Sequence, residues 1–279
     1  MLIEAGDPVT VPEQDTAAVR FGAEPLPGGG VGRRLLWLEE DPAFELSFWC
    51  GTCALLFRRL EGARSTVSLS ALADRLTTGL DRIDPEVVDR FTAVLAADVY
   101  RPLLFELSPA LVAPGRPGDY FSEEQVATWG LSPFWGLPEY PATPYYRAGP
   151  PTRLSPTARL FEFVVPMVPP FWNTRARVDE LVARLTGPPG GSSVPTAVAV
   201  SVLDVCQPAT AGSADYEAHW GLVHFLLDGH HKLEAAVTSG RPVRLLSLLA
   251  TGASLASPAD LQRLVDVLGA RSGVGDPAG

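Results

Sequence analysis

Between residues 196 and 250 the chain alternates long apolar runs with short polar punctuation, and this pattern restricts the fold more than any other. TAVAVSVLDV (196–205) is almost continuously apolar and rich in β-branched residues, as a strand covered on both faces must be. AHWGLVHFLL (218–227) reads as a second such strand. Asp228 and Gly229 then form a turn, HHKLEAAVTSG (230–240) a helix closed by Gly240, and PVRLLSLLA (242–250) a further strand. Strands buried on both faces need structure above and below them. The expected class is therefore α/β or α+β, a mixed sheet with flanking helices.

The rest of the chain fits around this core. RLFEFVVPMV (159–168) reads as a strand, and NTRARVDELVARLTG (173–187) as a helix with Asn173 as N-cap and Gly187 as its stop. PADLQRLVDVLG (258–269) is a helix bounded by Pro258 and Gly269. Nearer the N-terminus, RLLWLEE (34–40) and FELSFW (44–49) read as strands, and ALLFRRLEG beyond them as a short helix or another strand. SLSALADRLTTGLDRI (68–83), with Ser70 as N-cap, and PEVVDRFTAVLAADV (85–99), opened by Pro85, read as helices. RPLLFELSPALVAP (101–114) reads as extended chain. Residues 115–158 hold too much Pro and Gly for a sheet interior and too many aromatics for a solvated linker. They are expected as an ordered excursion packed by its own aromatics, or as a lid. The organisation that follows is a loosely held arm over residues 1–33, an α+β region over 34–158 and a second domain over 159–270.

The net charge of −10 repels a phosphate backbone, which argues against nucleic acid as a partner but leaves room for a local pocket for one small anion. The first residues show no basic stretch leading into an apolar one, and no apolar run reaches the roughly 18 residues a membrane span needs. Three cysteines, two of them in one CxxC, make no secreted disulfide framework. A cytoplasmic protein with reduced thiols and no membrane contact is expected.

Basic residues are arginines throughout, except that Lys232 is the only lysine, and all four histidines (His219, His224, His230 and His231) fall within residues 219–231. A strand that ends in Asp-Gly and turns directly into a helix makes an anion cradle, because the first helical N–H groups have no intrahelical partner and carry the positive end of the helix dipole. Gly229 permits the tight bend and a close approach of a ligand to the backbone. His230, His231 and Lys232 add donors and charge, and Asp228 can cap the helix or hold a metal or a hydroxyl. His224, in an apolar strand, is expected as a core histidine.

LLDGHHKLEAAVTSGRPVRLLSLLA also resembles the core signature of the ParB/sulfiredoxin superfamily, in which a strand leads through a DGHHR-like turn to an Ala-rich helix and a further strand. The resemblance covers about residues 194–250, with Asp228, Gly229, His230, His231, Lys232, Glu234 and Ala235 in order. It implies a ParB/sulfiredoxin-like core in the C-terminal half and a nucleotide or phosphate pocket at the turn. The superfamily spans CTP-binding partition proteins, sulfiredoxins, serine-type amino-acid kinases and nucleases. Lys232 stands where Arg is usual, keeping the charge without the bidentate fork. His230 stands where a sulfiredoxin has its reactive Cys, and no DNA-binding helix-turn-helix is expected in the remainder.

The expectation is a protein that binds a nucleotide or phosphorylated metabolite, with Gly229 and Lys232 holding it. His230, His231 and Asp228 would act in phosphoryl transfer or phosphate cleavage, with ATP or another nucleotide and a Mg²⁺ ion at Asp228. One alternative is a non-catalytic nucleotide-sensing or partner-binding module. Another is a zinc-stabilised protein.

That last alternative rests on FWCGTC. The segment FELSFWCGTCALLFRRLEG resembles the strand–WCxxC–helix element of thioredoxins, in which the first thiolate is stabilised at a helix N-terminus. A CxxC is also half of a tetrahedral zinc site, which Cys50, Cys53, Cys206 and His219 could complete. Plain burial of small cysteines is the third option. Arg58 and Arg59 could lend charge to an anion pocket, and Glu45 and Glu106 are expected on solvated faces.

Overall fold

The computed structural model describes residues 1–14, 17–26, 28, 32–54, 57–187, 194–209 and 217–273. In chain order the elements are β1 (Leu2–Ala5), β2 (Val9–Val11), β3 (Val19–Ala23), β4 (Arg34–Leu38), β5 (Asp41–Leu46), β6 (Phe57–Arg59), α1 (Ala73–Thr78) and α2 (Pro85–Thr92). Next come β7 (Asp98–Leu107), β8 (Ala110–Val112), α3 (Glu124–Trp129), β9 (Tyr145–Arg147), β10 (Thr152–Ser155), β11 (Ala158–Pro166) and α4 (Arg175–Leu185). The chain closes with β12 (Thr196–Cys206), β13 (Ala218–Asp228), α5 (His230–Ser239), β14 (Val243–Ala250) and α6 (Pro258–Gly273).

A mixed sheet of ten strands runs β1-β7-β14-β12-β13-β11-β9-β8, with β2 added along β7 and β10 along β11. β12 lies parallel to β14 and β11 parallel to β13, while β12 and β13 are antiparallel. A smaller antiparallel sheet runs β3-β4-β5-β6. The class is mixed α/β, as the buried runs require.

Strand alternation divides the interior in two. Along β12, Val198, Val200, Val202 and Cys206 join a core with Leu36, Phe44 and Phe57 of the small sheet and with Leu76 and Phe91 of α1 and α2. Ala197, Ala199 and Leu203 point the other way, to Leu233 and Ala236 of α5 and Leu264 and Leu268 of α6. Because both sides of β12 and β13 are covered, neither strand can carry a solvent-facing polar row. The connection from β11 through α4 to β12 skips β13, and the connection from β13 through α5 to β14 skips β12. The two helices pack together through Val178, Leu181 and Ala235. This brings the start of α5 against the chain leading into α4, and there the candidate site lies.

Several sequence expectations are corrected. Residues 1–33 are not a loose arm: β1 and β2 pair with β7, and β3 pairs with β4. The short alternations of β1 and β2 are recognisable as strands only beside β7, about a hundred residues away, and that of β3 only beside β4. Residues 27 and 29–31 of the glycine-rich stretch lie outside the described residues, as do residues 55 and 56 of ALLFRRLEG, whose described part holds the strand β6 and a turn after it. The helix opened by Pro85 stops at Thr92 rather than reaching residue 99. The hydroxyl of Thr92 bonds back to the carbonyls of Val88 and Asp89, and the chain from Asp98 pairs with β14 instead. Ser70 opens a short 3-10 turn and caps nothing, and Thr174, not Asn173, precedes α4.

The Pro- and aromatic-rich excursion is ordered. It contributes α3, β9 and β10 and buries Tyr120, Phe121 and Tyr145 on the core, while Phe134, Trp135, Leu137 and Tyr140 are exposed. The ten-stranded sheet draws strands from both sides of residue 158, since β7 borders β14 and β9 borders β11. Among the described residues no helix is long and apolar enough to cross a membrane.

Candidate functional site

β13 ends at Asp228, and Gly229 turns the chain at φ 101° and ψ 21° into α5. That left-handed conformation favours glycine, and space demands it as well: a Cβ at Gly229 would lie 2.6 Å from the Cβ of Ala197 and 2.8 Å from its Cα. No side chain caps α5, so its first N–H groups stay open to a ligand. Beside them is a cavity of about 220 Å³ lined by Ser68, Thr77, Arg177, Asp228, His231 and Lys232 among others.

The five turn residues divide by role. Lys232 is buried, and its Nζ donates to the carbonyl of Thr196 and to Oδ2 of Asp228, both at 2.9 Å. Burial lowers its pKa, and the Asp228 carboxylate works against that shift. The other carboxylate oxygen of Asp228 faces the hydroxyl of Ser68 at 3.5 Å. Asp228 is thus already neutralised by Lys232 and leaves chiefly Oδ1 for the expected Mg²⁺ ion. Among the described residues no three His, Cys, Asp or Glu gather around a common point.

His230 does not fit the acid–base role expected of it. Nε2 accepts the Met167 N–H at 3.1 Å, so the proton sits on Nδ1, and the ring is buried. Burial, opposed by Asp228, pulls its pKa down to about 4, so it is neutral near pH 7. His231 is half-buried on the cavity wall, and its Nε2 accepts the Thr174 N–H at 3.0 Å. Its pKa is lowered by burial and then by Arg177, with Glu234 and Asp228 opposing. Both rings therefore help fix the turn by holding the approach to α4. Asn173 completes the clasp: its Nδ2 donates to Glu234 Oε2 at 2.7 Å and to the carbonyl of His230 at 3.4 Å.

The other two histidines belong to the interior. His224 Nδ1 meets the hydroxyls of Ser201 at 2.7 Å and Ser247 at 3.0 Å, and burial lowers its pKa to about 3. His219 Nδ1 meets the hydroxyl of Tyr120 and Nε2 that of Thr128, each at 2.9 Å, and burial followed by Arg159 brings its pKa to about 3.

The zinc set assembles only in part. Cys50 and Cys53 come together, with Sγ atoms 2.9 Å apart, and their turn meets the end of β12 where the Gln207 N–H donates to the Gly51 carbonyl. Cys206 pairs with His219 in register. Both ring nitrogens of His219 are engaged, however, and Cys206 is buried, which pushes its thiol up to about 12. Among the described residues, the CxxC turn is followed by the strand β6 and not by the helix that the thioredoxin-like pattern implies.

Arg58 and Arg59 do not line the cavity. Arg58 pairs with Glu45, and Arg59 donates to the Ala63 carbonyl. Glu45 is buried between Arg58 and Arg33 rather than on a solvated face, and Glu106, partly exposed, lies 4.0 Å from Arg244.

Sequence reasoning did not select Ser68, Thr77 or Arg177, because they reach the cavity from α4 and the α1 region only after the chain has folded. It also missed Arg34 and Asp204, a buried bidentate pair at 2.7 and 2.8 Å that joins the small sheet to β12. Comparison with protein-family models, curated proteins and solved structures finds no match to this chain.

Proposed function

We propose that this chain binds the phosphate of a nucleotide or phosphorylated metabolite at the start of α5, and that it does so as a binding module. The observation that carries the reading is the wall composition of the cavity: Arg177, Lys232, and the uncapped first turn of α5 surround it, with Asp228 the one lining carboxylate. An ammonium has three donors. Thr196 and Asp228 take two of those of Lys232, which leaves one for a ligand oxygen. Arg177 is half-exposed and gives one donor to Glu180, so its other guanidinium donors are free to swing onto a phosphate. Ser68 and Thr77 add hydroxyls. The resemblance to the ParB/sulfiredoxin superfamily supports the same ligand class at the same turn.

Binding without turnover is favoured because Asp228 is committed to Lys232 and His230 to Met167. Phosphoryl transfer is the second reading, favoured by the half-buried ring of His231 on the cavity wall. Calorimetric titration with ATP, CTP, ADP and inorganic phosphate, with and without Mg²⁺, tests both when paired with an assay for phosphate release. Binding lost in Lys232→Ala without any release supports the module. Release that depends on His231 supports the enzyme. Absence of binding to every ligand in the set would overturn both.

A further inference from the structure

At the other end of β12, the FWCGTC turn has features that a plain pair of buried cysteines does not need. The two thiols face each other at 2.9 Å. Cys50 is exposed and Cys53 is partly buried beneath it, while Cys206 is fully buried. The backbone between the pair is fixed from three sides. The Gly51 N–H donates to the Phe48 carbonyl at 3.3 Å, the Gln207 N–H to the Gly51 carbonyl at 2.9 Å, and the indole N–H of Trp129 to the Thr52 carbonyl at 3.1 Å. Gly51 holds φ 65°, which lets the chain double back and bring the two thiols together. Phe48 and Trp49, immediately before Cys50, are exposed and give an incoming molecule an apolar rim.

We propose that Cys50 and Cys53 form a redox-active dithiol that reduces a disulfide substrate, with Cys50 as the attacking thiol and Cys53 as the resolving one. The Cys50 thiolate attacks one sulfur of the substrate disulfide. A mixed disulfide forms at Cys50 and the first substrate thiolate leaves, taking up a proton. Cys53, deprotonated in turn, then attacks Cys50 Sγ, expels the second substrate thiolate and leaves a Cys50–Cys53 disulfide. Two electrons pass from the dithiol to the substrate, whose S–S bond becomes two thiols, and an external dithiol returns the protein to its starting state.

The acidities follow this division of labour. Burial pushes the Cys50 thiol up, but hydrogen bonds from Cys53 and Thr52 side chains and from the Thr52 and Cys53 N–H groups outweigh it and bring its pKa to about 7. Cys53 is pushed up to about 11 by burial and by Cys50. The exposed sulfur is therefore the one that is substantially thiolate near neutral pH.

The test uses the reduced full-length chain and oxidised glutathione, followed by mass spectrometry of the intact protein and of its peptides, with metal content measured beforehand. The wild type is expected to lose two hydrogens and to link Cys50 to Cys53 without accumulating an adduct. Cys53→Ser is expected to stop at a glutathione adduct on Cys50, and Cys50→Ser to react at least ~10-fold more slowly. Cys50→Ala serves the same purpose if the serine variant folds poorly. Three results would overturn the proposal: a stable glutathione adduct on wild-type Cys50, equal rates for the two single variants, or a bound zinc ion that protects both thiols.

Discussion

The two turns stand at opposite ends of the same strand, and they are built on opposite plans. β12 has eleven residues, so about 33 Å separates its ends. At one end, the Thr196 carbonyl accepts from Lys232 and every polar side chain of the Asp228–Lys232 turn has a partner in the protein. At the other, Gly51 is pinned by Gln207, yet Cys50 is exposed and its hydrogen bonds converge on sulfur. A strand boxed in on both faces presents chemistry only at its ends. The first end spends its polar groups on holding two helices, leaving a small cationic cavity, whereas the second pins the backbone of its turn and leaves the Cys50 sulfur exposed.

This contrast breaks most readily with acid. His219, His224 and His230 have folded-state pKa values of about 3, 3 and 4, below the ordinary 6.5 of an unfolded chain. The unfolded state therefore binds more protons, and stability is complete above about pH 6.5 and falls as pH drops towards 4. From pH 7.5 to 5 the loss is about 2 kcal/mol for each ring, or ~6 kcal/mol together. Urea unfolding across that range should show it, and a flat profile would mean the rings are not held neutral. His230 lies in the Asp228–Lys232 turn and His219 opposite Cys206, so His230→Gln and His219→Gln should divide the effect between the two ends.

Each end also has its own ion pair. Asp204→Ala strips Arg34, which is 1% exposed, of its carboxylate and should cost about 3–5 kcal/mol in urea unfolding. Lys232→Ala breaks a pair whose Asp228 side chain is 20% exposed, and screening by solvent should hold the loss to roughly 1–3 kcal/mol. A reversed order would contradict the burial contrast.

The glycines sharpen the comparison further. Gly229→Ala meets both a positive φ and the atoms of Ala197, and should cost about 2–4 kcal/mol. At Gly51 an added Cβ has only the Val205 carbonyl for company, at 3.5 Å, so Gly51→Ala should cost about 1–2 kcal/mol from backbone strain alone. The smallest effect belongs to Cys50→Ser, expected within about 0.5 kcal/mol of wild type in thermal unfolding because the side chain is exposed.

The strong elements of the C-terminal half were legible because their signals are local: continuous apolar runs for β12 and β13, Asp-Gly at the turn, Gly240 in left-handed conformation after α5. β1 to β3 were not, because three to five residues have no strand signature until β7 or β4 lies beside them. The candidate turn was found from its histidines and lysine, but their roles were not. Whether His230 offers a lone pair depends on where the Met167 N–H points, and no periodicity carries that. Arg177 was invisible for the same reason, since on its own helix it reads as one more solvated arginine.

The most direct test of the phosphate reading is a thermal-shift series with ATP, CTP, ADP and inorganic phosphate on the wild type and on Arg177→Ala, whose half-exposed side chain can be removed without disturbing the core. A ligand at a hundred times its dissociation constant adds about 2.7 kcal/mol. The account predicts a rise in melting temperature for the wild type with at least one of these ligands, and a weakening of roughly tenfold or more in the variant, in keeping with the loss of a charge-assisted bond. No rise with any of them, or an equal rise in both proteins, would contradict it.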